Sequence, residues 1–181
     1  MASHQTRKPE HLRSMLLSSA IRLTAKNGVA GISLSHVAEA AGVTKGGLFH
    51  HFPNKNALMK EVFDLLLLSF EREVDKHIDE DSLVYGCFTR AYIRAVFSEA
   101  GGSTPWKALS FTIFTDSSFS KKWEHWLSKK LGLHGQTDNS DELEIIRLAV
   151  DGVWYASLFS SEKNKKRFII LEEKLIQRTW R

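Results

Sequence analysis

Helical periodicity in the first sixty residues is cut at Asn27-Gly28, at Gly42 and at Phe52-Pro53, and those cuts constrain most strongly what the chain can become. Leu12, Leu16, Ala20 and Leu23 mark one face of a first helix, which stops at Asn27-Gly28, a pair suited to the left-handed position after a helix end. After a short link, Ser33 can cap a second helix with Val37, Ala38 and Ala41 inward, and Gly42 ends it. Thr44 can cap a third, from Lys45 to about His51, which closes at Phe52-Pro53 because proline disfavours helix in the residue before it. Two short helices therefore flank a tight Gly42-Val43 turn.

The rest also reads as helix. Asn54 looks like the cap of a fourth helix in which Leu58, Val62, Leu65 and Ser69 or Phe70 recur to about His77. Residues 82–100 and 106–131 follow, broken near Gly101-Gly102-Ser103-Thr104-Pro105, and 132–140 reads as a polar loop. The last two segments are 141–160, with Leu143, Ile146, Val150, Val153 and Trp154 on one side, and 163–180, with Phe168, Leu171, Leu175 and Ile176. Runs alternating Val, Ile and Thr are hard to find, so the expected class is all-α.

Charge is unevenly spread. Residues 1–60 carry eight basic against two acidic side chains and five of the eight histidines, whereas the remainder is slightly acidic. A module that faces a polyanion needs such a balance, although a solvated basic face would also produce it. The stretch 32–60, ISLSHVAEAAGVTKGGLFHHFPNKNALMK, has the helix, glycine turn and second short helix that place a recognition helix in the DNA major groove. Gly46-Gly47 within that helix should cost about 2 kcal/mol relative to two alanines. Either close helix packing or close approach to phosphates and thymine methyls offsets that cost, with Lys45, His50 and His51 in reach of phosphates or base acceptors. Lys55 opens the fourth helix, where the dipole favours anions by roughly 0.3 to 1 kcal/mol; a bound phosphate, or plain solvation, accounts for it.

On these residues the stretch resembles the DNA-binding signature of the TetR (tetracycline-repressor) family of bacterial regulators. The likeness is carried by Val37-Ala38, Ala41-Gly42-Val43, Thr44-Lys45-Gly46, Leu48-Phe49-His50-His51-Phe52 and Lys55. The resemblance implies a three-helix DNA-binding head over 1–53 and a larger helical ligand-binding and dimerisation domain over 54–181, whose last two helices build a four-helix bundle with a second copy. It implies a transcriptional regulator, a ligand-responsive repressor acting as a homodimer on a palindrome-like double-stranded operator. Ser33, Thr44, Lys45, Gly47, His50 and Lys55 fall where such proteins touch DNA, with Gly46, Phe49 and His51 beside them, while Val37, Ala38, Val43, Leu48 and Phe52 fall in the head's core. The chain departs from the pattern twice: Phe49 stands where many relatives have Tyr, removing a phosphate-bonding hydroxyl, and Gly47 stands where Ser, Thr or Ala is common.

Six aromatics crowd residues 106–126, namely Trp106, Phe111, Phe114, Phe119, Trp123 and Trp126, a density that suits either an apolar pocket wall or ordinary core. Trp106, Phe111, Phe114, Trp123 and Trp126 form the candidate ligand site, for a largely apolar or aromatic small molecule, with Trp154 and Tyr155, which either join it or lie in the dimer seam. No nucleophile elbow, zinc-protease or phosphate-loop motif is visible, so an enzyme is not expected. The lone Cys87 has no metal-ligand spacing around it, and His50-His51 point about 100° apart with no third ligand, so neither metal nor cofactor is expected. A single cysteine, an N-terminus without an apolar leader core and an aliphatic run no longer than residues 65–68 point to a cytoplasmic chain that does not enter the membrane.

Overall fold

A computed structural model describes residues 7–100, 104–159 and 165–180, and among them helix is the only regular structure. In chain order the helices are α1 (Arg7–Asn27), α2 (Leu34–Ala40), α3 (Lys45–His51), α4 (Lys55–Asp79), α5 (Cys87–Ala100), α6 (Pro105–Thr115), α7 (Ser117–Leu133), α8 (Gly135–Asp138), α9 (Asp141–Ser157) and α10 (Lys165–Arg178). They form two compact units, one of Met1–Leu66 with Thr104–Phe119, the other of Leu67–Ser103 with Ser120–Arg181. This division does not follow the expected boundary at 53/54, because the first half of α4 and all of α6 group with α1 to α3.

In the first unit each expected cap is made. Ser33 Oγ accepts from His36 N at 3.2 Å, Thr44 Oγ1 from Gly47 N at 3.1 Å and Asn54 Oδ1 from Ala57 N at 2.8 Å, so each helix start has one otherwise orphaned amide satisfied. Gly28 and Gly42 end α1 and α2 with φ of +69°, a region that glycine enters without the Cβ penalty. The core joins Leu16 and Ala20 of α1 to Val37, Ala38, Leu48, Phe52, Leu58 and Val62, all buried. Val43, expected among them, is only half-buried on the turn. α6 packs along α1, and Phe63 of α4 meets Trp106 and Phe119 edge-on at 5.7 and 5.1 Å. T-shaped contacts of this kind add about 0.5 to 1.5 kcal/mol each beyond the area they bury.

The single helix expected over 106–131 is two helices. Asp116 is extended, at φ −123° and ψ 111°, and its Oδ1 accepts from Ser118 N at 2.8 Å. Asp116-Ser117-Ser118 is thus a local cap that competes with continuation of the helix. The polar stretch 132–140, expected as loop, holds the end of α7 and the one-turn α8. The segment expected from 82 begins only at Cys87, because Gly86 turns the chain with φ +70°.

In the second unit α5 is the central helix, packed against α8, α9 and α10 and buried around most of its circumference. It buries charge as well as apolar surface. Arg90, 1% exposed, donates through Nε to Asp81 Oδ2 at 2.6 Å, through Nη1 to Tyr85 O at 2.7 Å and Thr179 Oγ1 at 3.2 Å, and through Nη2 to Leu83 O at 2.6 Å. Asp138 receives the amides that open α5, Thr89 N at 2.7 Å and Phe88 N at 3.3 Å, and the Thr89 hydroxyl at 2.7 Å. Arg147 of α9 closes the network on Thr89 Oγ1 at 2.8 Å and Asp138 O at 3.0 Å. A Cβ on Gly86 would stand 3.1 Å from Arg90 Nη1 in a backbone region that costs L-residues about 1 to 2 kcal/mol. Gly86→Ala is therefore expected to lower the urea midpoint by at least that equivalent, and an unchanged midpoint would show that the turn tolerates a side chain.

Candidate nucleic-acid interface

The third helix sorts its residues cleanly by face. Leu48 is fully buried, and the next inward residue, Phe52, is 1% exposed beneath the Arg13 guanidinium, whose Cζ lies 5.7 Å from the ring centroid. Lys45, Gly46, Phe49 and His50 line the open side, with Phe49 50% exposed, and His51 is half-buried. Seven residues are too few to be stable alone, so the Thr44 cap and the Leu48 anchor hold this segment in helical form while its polar side stays uncovered within the first unit.

Ser33 and Thr44 each use a lone pair for capping and keep a hydroxyl proton that can be given to an anion. The glycines are not pressed on from inside: a Cβ on Gly46 would meet nothing within 4 Å, and one on Gly47 only Thr44 Oγ1 at 3.4 Å and Leu12 Cδ2 at 3.9 Å, ordinary contacts. Close internal packing therefore does not explain the pair. Lys55 has an internal partner that its place in the sequence did not suggest, since its Nζ donates to Ile32 O at 2.8 Å. That bond to the link before α2 accounts for a cation at a helix start without requiring a phosphate, although the ammonium retains two more protons.

The candidate ligand residues are divided between the two units. In the first, Trp106, 6% exposed, meets Phe63, and Phe114 is 67% exposed. The side chain of Phe111 lies outside the described residues. In the second unit Trp123 and Trp126 meet, at 5.0 Å between centroids, together with Phe70 and Tyr92, neither of which stands out in the sequence as a ligand residue. Tyr92 donates to Asp151 Oδ1 at 2.5 Å, while the buried Trp126 Nε1 finds no acceptor among the described residues. Trp154 is half-buried, and Tyr155 is 56% exposed on α9, where its ring meets Phe159 edge-on at 5.2 Å.

A capped helix-turn-helix with an uncovered second helix, followed by an all-helical body, defines a class of small DNA-binding regulators. Comparison with known proteins narrows the class. Residues 16–62 match the profile described as bacterial regulatory proteins, tetR family, and residues 86–179 match the tetracyclin repressor-like C-terminal domain. The chain belongs to the TetR family. It is 37% identical over 65 residues to the HTH-type transcriptional regulator AcrR of Shigella flexneri, covering 36% of this chain and 30% of that one. It is 30% identical over 100 residues to the HTH-type transcriptional regulator TtgR of Pseudomonas putida, covering 55% and 47%. These alignments span less than half the length of either relative. The multidrug binding protein EbrR, solved in complex with malachite green, shares the fold at a TM-score of 0.70 and 19% identity, over 92% of this chain and 96% of that one. Among the described residues no helix is long and apolar enough to cross a membrane.

Proposed function

We propose that this chain is a sequence-specific DNA-binding transcriptional regulator, a cytoplasmic repressor that works as a homodimer on a palindrome-like operator and is released by a small apolar or aromatic ligand. The observation that carries the reading is the open face of α3, where Lys45, Gly46, Phe49 and His50 lie above a buried Leu48. On this reading Lys45 and His50 read base edges or bind phosphates, and Phe49 packs on a thymine methyl or sugar. Ser33, Thr44 and the spare protons of Lys55 bind phosphates, Gly46 and Gly47 admit the backbone, and His51 lies at the rim. The working boundary remains a DNA-binding head over 1–53 and a ligand-binding and dimerisation body over 54–181.

Two further observations support the partners. Ile145, Leu148, Tyr155 and Phe159 of the α9 segment and Ile169 and Ile170 of α10 are each more than half exposed, an apolar outer face of the kind that a second copy covers. The Phe70, Tyr92, Trp123 and Trp126 cluster, with an indole N–H lacking an acceptor among the described residues, suits a flat apolar ligand carrying one acceptor atom. AcrR and TtgR are described as HTH-type transcriptional regulators, and EbrR as a multidrug binding protein complexed with malachite green, which supports the reading.

The test is selection of duplexes from a random pool followed by a salt titration on the winner. The chain should retain DNA at low salt, with log affinity falling against log salt by about 0.9 per phosphate neutralised. Failure to retain any duplex at low ionic strength would remove the reading.

A further inference from the structure

We propose that Cys87, His134 and Asp138 form a binding site for a divalent transition-metal ion of borderline softness, of which Zn2+ is the type. The three come from the first residue of α5, the residue before α8 and the last residue of α8. Cys87 Sγ lies 3.9 Å from His134 Nδ1 and 3.9 Å from Asp138 Oδ2, and all three ligand atoms fall within 4.8 Å of one another. A tetrahedral zinc with bonds of about 2.3 Å to sulfur and 2.0 Å to nitrogen or oxygen would hold such atoms about 3.5 Å apart. The two sulfur distances therefore need to close by a few tenths of an ångström, and the His134 and Asp138 atoms, within 4.8 Å of each other, by up to about 1.5 Å. Sequence spacing concealed it, because the partners of Cys87 are 47 and 51 residues away.

The side chains are arranged as ligands need to be. The His134 ring is stacked on Phe88, 10° from parallel at 5.6 Å, which fixes its plane while Nδ1 faces the sulfur. Asp138 divides its oxygens unequally. Oδ1 is held by Thr89 N and Oγ1 at 2.7 Å each, whereas Oδ2 has a long bond from Phe88 N at 3.3 Å and a share of the Thr137 hydroxyl at 2.9 Å. That hydroxyl also lies 3.1 Å from His134 O, and its one proton can turn there, freeing Oδ2 for a cation.

Charge balance selects the ion. One thiolate, one carboxylate and a neutral imidazole cancel a 2+ charge, so the closed site carries no net charge in a partly buried corner. Binding converts the Cys87 thiol to a metal-bound thiolate and releases its proton to solvent. The Arg147 guanidinium bonded to Asp138 O opposes an unneutralised cation, so the carboxylate alone does not suffice and the sulfur is required. Mixed sulfur, nitrogen and oxygen donors disfavour Mg2+ and Ca2+. The fourth position stays open to water.

The experiment titrates Co2+ into the reduced, chelator-treated full chain. One equivalent should produce a thiolate-to-cobalt charge-transfer band in the near ultraviolet, which Zn2+ displaces, and because Cys87 is the sole cysteine any such band reports it. Zn2+ should also slow alkylation of Cys87 in the unaltered protein. Cys87→Ser should abolish the band, and His134→Gln, at a half-buried position, should weaken binding by at least about tenfold while leaving the metal-free helical spectrum unchanged. Absence of the band together with unaltered alkylation under Zn2+ overturns the proposal. So does wild-type affinity in His134→Gln, which would leave the cysteine binding metal without its partners.

Discussion

Arg90→Ala is expected to remove about 3 to 5 kcal/mol of stability, a large part of the roughly 5 to 15 kcal/mol that holds a domain folded. The loss does not come from one ion pair. Truncation leaves the Asp81 carboxylate, the Leu83 and Tyr85 carbonyls and the Thr179 hydroxyl without the guanidinium that joins the start of α5 to the end of α10. For a chain of this size the thermal midpoint should fall by roughly 6 to 20 °C. Arg90→Lys should recover little, because an ammonium cannot span acceptors set around a planar fork. The pH profile separates this cause from simple loss of volume. Burial tends to raise the Asp81 carboxyl, but the Arg90 and Leu83 hydrogen bonds and the Arg90 and Arg94 charges outweigh it and hold it below the ordinary 3.8. In the unaltered protein its contribution is present above the unfolded value and is lost as pH falls through the folded one. Without Arg90 two of the four influences that lower it are gone, the carboxyl rises, and the stability lost on acidification should shrink. Urea midpoints measured from about pH 3 to 6 read this flattening of the profile. Parallel profiles for the two proteins would mean that Asp81 does not depend on Arg90.

What can be read from the sequence follows from how local each cause is. Ser33, Thr44 and Asn54 cap helices through amides three residues away, and Gly28 and Gly42 act within one turn, so the first four helices are legible. Asp116 acts over only two residues, yet the aromatic run on either side of it reads as one continuous helix and hides the break. The buried charges are another matter. Arg90 finds Thr179 89 residues away, Arg147 finds Thr89 58 residues away, and Asp138 finds the amides opening α5 49 and 50 residues away. Nothing in a local pattern distinguishes such residues from solvated ones until the packing of α5 brings them together.

The candidate site divides along the same line. The outward set on α3 is legible because a seven-residue helix with one buried leucine leaves few ways to face. The ligand set is less so, because Phe114 is largely exposed and the rings that surround the buried Trp126 come from distant parts of the chain. Two of its tryptophans do meet, but Phe70 and Tyr92, which complete the cluster, lie on α4 and α5.

Gly46→Ala is expected to make the protein more stable and a poorer DNA binder. A methyl group at this position touches nothing within 4 Å, and alanine is favoured over glycine in a helix by up to about 1 kcal/mol, so the thermal midpoint should rise. If the groove is as close as the proposed interface requires, the same methyl group occupies space that a phosphate or thymine methyl needs. Affinity for the selected operator should then fall by about ten- to 100-fold, in line with the roughly 1 to 3 kcal/mol carried by a good base contact. Gly46→Glu adds like-charge repulsion and should reduce retention on every duplex, whereas the alanine variant should lose most on the selected one. The opposite signs matter because an ordinary folding defect lowers stability and binding together. A stabilised Gly46→Ala protein that holds its operator with undiminished affinity would show that α3 does not bring its backbone against DNA, leaving the two glycines with neither an internal nor an external cause.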